Sequence, residues 1–210
     1  MPVPGRFEDA RATWDARFSQ PGLLFGAQPN RFLAAQAPLL APHRRVLCVA
    51  DGEGRNSIHL ALLGHAVTAF DVSPVAVSKA QRWAAERGAV VDYHAASVQS
   101  WGWLPARYDV VVAIFIQFAD PQMREALFAG MWRTLAPGGL LLLQGYTPKQ
   151  LDYRTGGPGK AENLYTPALL RALLPQAEWQ LLRETEDVLD EGPAHSGRSA
   201  LIEAVARKPL

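Results

Sequence analysis

The sequence is poor in cysteine, in long apolar runs and in net charge, and each shortage narrows the classes of protein it can be. Cys48 is the one cysteine of 210 residues, so no disulfide can form within the chain. No apolar run approaches the roughly 20 residues of a membrane helix, and residues 1–9 lack the apolar segment of a signal peptide. The net charge of +1 gives no basic footprint for nucleic acid. We therefore expect a cytoplasmic protein that has neither a membrane nor a nucleic acid as its partner.

The sequence also lacks the patterns of metal ligation and of covalent catalysis. Its five histidines show no metal-ligand spacing. No serine or cysteine stands in an arrangement that indicates a nucleophile, a base and an acid acting together. We therefore expect no metal site.

The overall composition is that of an ordinary globular protein, with 49% apolar and 20% charged residues. The length predicts a single domain over residues 1–210, as a monomer or a homodimer. Within it we distinguish an N-terminal helical arm or lid (1–44), a cofactor-binding core (45–146), and a last part with a substrate loop, a helix and a terminal strand pair (147–210).

From residue 45 the chain alternates between apolar runs and helical patterns. The apolar runs predict strands at 46–50, 66–70, 90–94, 109–115 and 140–144, and helical patterning lies at 56–63, 75–87 and 122–135. Two further runs, 180–189 and 200–207, predict an antiparallel pair. This order is typical of a three-layer α/β fold: a doubly wound, Rossmann-like, mostly parallel seven-stranded sheet with an antiparallel C-terminal strand pair.

A glycine loop follows the first predicted strand, and an acid ends the second. Gly52 and Gly54 let the backbone approach a ligand at a helix start, and Asp71 is placed to accept a ribose diol. A nicotinamide cofactor needs a third glycine where Ser57 stands, and the acids Asp51 and Glu53 would repel its pyrophosphate. A ligand without phosphate, and a sulfonium cation above all, fits this loop better.

Three segments carry a resemblance to a known family. They are residues 50–57 (Ala-Asp-Gly-Glu-Gly-Arg-Asn-Ser), 64–74 (Gly-His-Ala-Val-Thr-Ala-Phe-Asp-Val-Ser-Pro) and 135–141 (Leu-Ala-Pro-Gly-Gly-Leu-Leu). With them the chain resembles the class I S-adenosylmethionine-dependent methyltransferases. Residues 14–18, 26–30 and 189–197 narrow the resemblance to the small bacterial group related to the tellurite-resistance and thiopurine methyltransferases.

The resemblance implies a cofactor, S-adenosylmethionine, with S-adenosylhomocysteine as its product, and a set of binding residues. Ala50, Asp51, Gly52 and Gly54 would line the methionine part and Asp71 would accept the ribose hydroxyls. The residues implied near adenine are Val72, Ser97 and Val98, those facing the methyl group and the substrate are Ile114, Phe115 and Gln117, and further candidates are Arg55, Asn56 and the covering Trp14. Two positions depart from the family, because Ala50 replaces a frequent glycine and Ser97 a frequent aspartate.

The acceptor side is less defined by the sequence. Glu191 and His195 share a Gly/Pro loop that Tyr153 and Arg154 could approach, which makes these four the substrate-side candidates; two separate solvated loops are the alternative. The short length favours a small acceptor. No base follows the fourth predicted strand, which favours a soft or anionic nucleophile, such as a thiol or a chalcogen oxyanion like tellurite. A catalytically silent cofactor-binding regulator and a nicotinamide-dependent oxidoreductase stay open as alternatives.

Overall fold

The computed structural model describes residues 6–210. Its strands are Arg45–Val49 (β1), Ala66–Asp71 (β2), Val91–Ala95 (β3), Tyr108–Ile114 (β4), Leu135–Tyr146 (β5), Glu178–Asp190 (β6) and Ser196–Arg207 (β7). Its helices are Arg6–Phe18 (α1), Arg31–Gln36 (α2), Arg55–Leu62 (α3), Pro74–Glu86 (α4), Pro121–Thr134 (α5), Gln150–Tyr153 (α6) and Pro167–Leu173 (α7), with 3-10 turns at Ala37–Leu39 and Ala161–Asn163.

The seven strands form one sheet in the order β3-β2-β1-β4-β5-β7-β6. Strands β1 to β5 are parallel, and β7 pairs antiparallel with both β5 and β6. The predicted fold class is thereby confirmed. After β3 the chain crosses back to place β4 on the other side of β1, so the topological switch point lies between β1 and β4, where ligands bind in such sheets.

Alternate residues of the central strands serve two separate cores. Leu47 of β1 and Val111 of β4 pack with α5 on one face of the sheet. Val46 and Val110 face the opposite core, where Leu33 of α2 also packs. Because both faces are covered, the central strands are continuous apolar runs rather than alternating ones.

Three helices begin with a polar cap followed by proline. The side chains of Ser73, Asp120 and Thr166 accept the backbone N–H three residues on, from Ala76, Met123 and Leu169. Each cap accepts a hydrogen bond from one of the otherwise unpaired N–H groups of the first helical turn. The proline that follows has no N–H and so needs no acceptor. These caps fix where α4, α5 and α7 begin at the sheet edge.

The fifth strand differs from the prediction. It begins at Leu135 rather than at residue 140 and includes Gly138, whose φ is +72°. Tyr108 pairs with Leu135 and Val110 with Leu140, so the residues between bulge out of the ladder. Residues 136–139 therefore form an irregularity inside the strand, and a glycine there removes the steric cost of a positive φ.

None of the described helices is both long and apolar enough to span a membrane.

Candidate functional site

A cavity of about 550 Å³ lies at the carboxyl ends of the parallel strands. Its floor is formed by residues that directly follow β1, β2, β3 and β4, and Trp14 and Phe18 of α1 line it together with Phe25. The strand order places the β2 and β3 ends on one side of β1 and the β4 and β5 ends on the other. The cavity therefore has two ends: one at the β1–β3 loops and one at the β4–β5 loops.

Asp71 is the polar centre of the first end. One of its carboxylate oxygens accepts the N–H of Gly52 and the other the N–H of Ser73, both at 2.9 Å. The side chain is buried, and this burial raises its pKa to about 6. A carboxylate oxygen can accept more than one hydrogen bond, so each retains capacity for a further donor from a ligand. The arrangement fits a diol.

Two residues that line this cavity have left-handed backbone conformations without being glycine. Ala50, directly after β1, has a φ of +49°, and Phe115, directly after β4, has a φ of +55°. Such conformations are costly for residues with a Cβ and collect at functional sites. The departure at Ala50 thus falls on a position whose backbone favours glycine.

Asp51 gives the same end a second acid. Burial, together with the nearby Asp71 charge, raises its pKa to about 7. The hydroxyl of Ser57 donates to its carboxylate and lies 2.9 Å from that of Tyr93. A cation bound beside Asp51 would favour its charged form, so this position fits a positively charged ligand.

An aromatic cluster covers the cavity from the N-terminal arm. The Trp14 and Phe18 rings stack at 5.5 Å, and Phe25 lies 6.1 Å from Phe18. The hydroxyl of Ser73, beside Asp71, donates to Asp15 of α1. Trp14, predicted to cover the cofactor, thus lines the cavity, and its covering role stays a prediction.

The segment after α1 is fastened to the glycine loop by polar contacts. Lys79 donates to the carbonyls of Gln20 and Gly22, both at 2.9 Å, and pairs with the buried Glu53 at 2.8 Å. Glu53 also accepts the Leu24 N–H at 2.7 Å. Glu53 thus positions the covering segment.

Glu191 holds the fold together and does not line the cavity. Its carboxylate pairs with the Arg55 guanidinium at 2.8 Å, and the two side chains are only 4% and 7% exposed. It also accepts the Asn30 side-chain amide at 3.1 Å and the Arg31 N–H at 3.0 Å. Both carboxylate oxygens are engaged in this network. The prediction that Glu191 lies on the substrate side is therefore wrong.

Arg55 and Asn56 line the cavity but are also engaged by the protein. Besides Glu191, Arg55 donates to the Phe25 carbonyl at 3.0 Å. The side-chain oxygen of Asn56 accepts the Asn30 N–H at 2.9 Å. Both residues join the start of α3 to the segment that precedes α2.

His195 is the substrate-side candidate that the structure places in the cavity wall. Its ring lies 4.2 Å from that of Phe115, 4.7 Å from Phe25 and 5.9 Å from Tyr146. Burial, and then the nearby Arg55 charge, lower its pKa to about 4, so it is neutral at pH 7. Its Nδ1 is buried with no hydrogen-bond partner among residues 6–210.

Tyr153 and Arg154 lie away from this cavity, which corrects their predicted place beside His195. Helix α6 points Gln150 inward, where its amide N–H donates to the Thr155 hydroxyl and its amide oxygen accepts the Ala200 N–H. One turn later, the Tyr153 hydroxyl donates to Glu186 on β6. Arg154 ends the helix with a φ of +54°. The short helix therefore turns these two side chains outward.

Most of the remaining predicted residues line the cavity, and one does not. Val72, Ser97, Val98, Ile114 and Gln117 line the cavity, whereas Gly54 does not. Gly54 starts α3 with a φ of +93°, and a Cβ there would lie 2.6 Å from the Tyr93 hydroxyl. The Gln117 amide is occupied by the Tyr146 backbone on both sides, at 2.6 and 2.8 Å.

Sequence reasoning missed several lining residues, namely Phe25, Tyr146 and Asn163. Loop 156–158 also lines the cavity, and it lies in the part of the chain where a substrate loop is predicted. Phe25 stands next to Gly26, and a glycine is a signal for close backbone approach. Tyr146 ends an apolar strand and gave no signal of its own. Over residues 6–210 no group of three His, Cys, Asp or Glu side chains could hold a metal ion.

Residues 46–139 match the family described as the methyltransferase domain. The core of the chain is thus similar to a methyltransferase domain. A curated relative, the tRNA 5-carboxymethoxyuridine methyltransferase of Escherichia coli K12, is 29% identical over 179 residues, which cover 74% of this chain and 66% of the relative. This chain spans between half and two thirds of the length of the first such relatives.

Solved structures show the same fold. An S-adenosylmethionine-dependent methyltransferase from Methanosarcina mazei has a TM-score of 0.71 at 19% identity, covering 87% of this chain and 99% of that one. TehB from Haemophilus influenzae has a TM-score of 0.70 at 17% identity, covering 94% of this chain and 66% of that one. At these identities the two likenesses show the fold alone.

Proposed function

We propose that this protein transfers a methyl group from S-adenosylmethionine to a small-molecule acceptor. The observation that carries the proposal is that one cavity has two chemically different ends. Asp51 and Asp71 make the β1–β3 end acidic, whereas Phe115, Tyr146 and His195 make the β4–β5 end aromatic. One end suits a cofactor with a diol and a cationic centre, and the other suits an acceptor.

The residues of the first end fit the cofactor. Asp71 would hold the ribose hydroxyls, Asp51 would face the cationic part, and Val72, Ser97 and Val98 would border the adenine. When bound, the cofactor supplies an activated, electrophilic methyl group. What remains for the protein is to align the acceptor and to exclude water, which are the large terms for such a displacement.

The covering segments support a small acceptor over a macromolecule. Trp14, Phe18 and Phe25 cover the cavity on one side, and loop 156–158 lines it on another. The net charge of +1 also gives no large excess of positive charge to attract a nucleic acid. A tRNA acceptor, as in the E. coli relative, and a tellurite-type acceptor are the competing outcomes of the assay. We further propose a cytoplasmic protein that acts without a membrane partner, as a monomer or a homodimer.

The first experiment is calorimetric titration with S-adenosylmethionine, S-adenosylhomocysteine and NADH. We expect micromolar affinity for the first two and no binding of NADH. Asp71→Asn should weaken S-adenosylhomocysteine binding by about 1–3 kcal/mol, because a hydroxyl loses its acceptor. Asp109→Asn is the matched control, because Asp109 pairs with Arg45 outside the cavity. Binding of NADH instead would establish the oxidoreductase alternative and overturn the proposal.

Turnover then separates an enzyme from a silent binder. Release of S-adenosylhomocysteine would be followed with a thiol, tellurite, hydroxylated aromatics and bulk tRNA in parallel reactions. Turnover of a small molecule supports the proposal. Turnover of tRNA alone overturns the small-molecule assignment, and cofactor binding without any turnover favours the regulator.

A further inference from the structure

We propose that the acceptor is a neutral, planar aromatic molecule whose O–H or N–H group is recognised by His195. This inference rests on the proposed function and names the substrate class of the same cavity. It departs from the thiolate or oxyanion that the sequence favoured. Three properties of the β4–β5 end carry it: its ring surfaces, its charges and its unused hydrogen-bonding atoms.

The walls of this end are flat and aromatic. The Phe115 and Tyr146 rings stack at 4.8 Å with 30° between their planes, and His195 meets Phe115 edge to face at 4.2 Å. The Phe25 ring also lies against His195, at 4.7 Å. Aromatic rings offer a ligand large apolar faces and prefer stacked or edge-to-face partners. A planar ring system matches such walls, and a small hydrated oxyanion does not.

The charges of the cavity do not favour an anion. The cations that line it are Arg17, Arg55 and Lys160. Arg55 is already paired with Glu191, and Arg17 and Lys160 are exposed. The cavity is also lined by four acidic residues: Asp51, Asp71, Asp120 and Glu162. An oxyanion beside His195 would lose its hydration without gaining a buried cation, which is costly.

The unused polar atoms at this end can accept a hydrogen bond. His195 Nδ1, the side-chain oxygen of Asn163 and the Tyr146 hydroxyl are buried without a partner among the described residues. A neutral imidazole has one acceptor nitrogen, an amide oxygen only accepts, and a hydroxyl can accept as well as donate, so one ligand donor suits all three atoms. The Gln117 amide, which could have donated, is bound to the Tyr146 backbone. The complementary group on a ligand is therefore a donor on an otherwise apolar ring.

The test compares 2-naphthol, naphthalene and tellurite by equilibrium dialysis, with and without saturating S-adenosylhomocysteine. We expect wild-type protein to bind 2-naphthol at least tenfold more tightly than naphthalene, because only the former satisfies the buried acceptors. Millimolar tellurite should not displace 2-naphthol. A naphthol-to-naphthalene ratio near one, or displacement by tellurite, overturns the inference.

Variants locate the recognition at His195. His195→Phe keeps a ring of similar size and should bind naphthalene normally while the ratio falls below threefold. His195→Asn retains a polar atom near the Nδ1 position and should restore part of the discrimination. Tyr153→Phe, outside the cavity, is the matched control and should leave the ratio unchanged. An unchanged ratio in His195→Phe overturns the assignment of this residue.

The two proposals fail separately. If calorimetry shows no binding of S-adenosylhomocysteine, the methyltransferase proposal is refuted whatever the affinity for 2-naphthol. If the cofactor binds but 2-naphthol and naphthalene bind equally well, only the proposed substrate class is refuted.

Discussion

The buried ion pair between Arg55 and Glu191 allows a quantitative prediction of stability. The pair joins the start of α3 to the loop between β6 and β7, and both side chains are more than nine-tenths buried. Among the described residues, Glu191 has two further donors, from Asn30 and Arg31, whereas Arg55 has one further acceptor, the Phe25 carbonyl. Removing Arg55 therefore leaves a Glu191 charge that still has two hydrogen-bond donors, whereas removing the Glu191 charge leaves an Arg55 charge with one neutral acceptor.

The magnitude follows from this inequality. Breaking a buried pair by removing one partner costs about 3–5 kcal/mol, because a charge stays buried without compensation. We expect Glu191→Gln to lie in this range, because it leaves the guanidinium with neutral acceptors only. Arg55→Met should cost less, about 2–3 kcal/mol, because Glu191 keeps two donors. The double variant should be more stable than the sum of the singles implies, by about 2 kcal/mol.

The assay is urea unfolding followed by far-UV circular dichroism on the four proteins of this cycle. A domain of this kind has about 5–15 kcal/mol of stability, so every variant should remain folded enough to measure. The matched control is the exposed pair Arg31–Asp187, 64% and 44% exposed at 3.1 Å, whose coupling should stay below about 1 kcal/mol. Additivity within about 0.5 kcal/mol in the Arg55–Glu191 cycle would refute the reasoning.

Three further predictions concern the backbone and pH. Ala50→Gly should stabilise the protein by about 0.5 kcal/mol, because relief of a φ of +49° slightly outweighs the added chain entropy; a loss above 1 kcal/mol in urea unfolding would contradict this. Gly192→Ala should cost more than about 3 kcal/mol, because its Cβ would lie 2.3 Å from the Gly26 nitrogen, whereas Gly22→Ala, at a φ of +80° in open space, should cost only about 1 kcal/mol. The pKa of Asp51 is raised from 3.8 to about 7 in the folded state, which therefore holds a proton that the unfolded state has lost. Its contribution is largest below pH 4 and falls by roughly 2–4 kcal/mol as the pH rises to 7; unfolding at both pH values, with Asp51→Asn as the variant that lacks this slope, measures it.

The features that could be predicted from the sequence are those fixed by near neighbours. Ser73 and Asp120 each accept the backbone N–H of the residue three positions on and so cap the helix that follows. The proline after each fixes the backbone of the first turn. The runs around Val46 and Val110 predict buried parallel strands because both faces of such a sheet are covered. Asp71 follows from the same logic, since the end of the second strand must lie beside the loop after the first.

The features that could not be predicted depend on pairings between distant segments. Nothing near Glu191 indicates that Arg55 and Asn30 meet its carboxylate, so a residue that looked available to substrate proved to be structural. Likewise, only the direction of helix α6 decides that Tyr153 faces Glu186 and not the cavity. The bulge in β5 has the same origin, because a register shift depends on the partner strand.

The loop between β6 and β7 combines anchoring and recognition in five residues. At the start of the loop, Glu191 binds Arg55 and the N-terminal arm. Gly192, which has no Cβ, allows the loop backbone to contact the backbone of Gly26. His195, whose carbonyl accepts the Glu191 N–H at 2.9 Å, then stands in the cavity wall on a backbone that is already fixed. Because the anchor and the ring belong to different residues, the His195 side chain can change without loss of the network. Acceptor preference should therefore vary at His195 at little cost in stability, whereas changes at Glu191 would disturb the fold first.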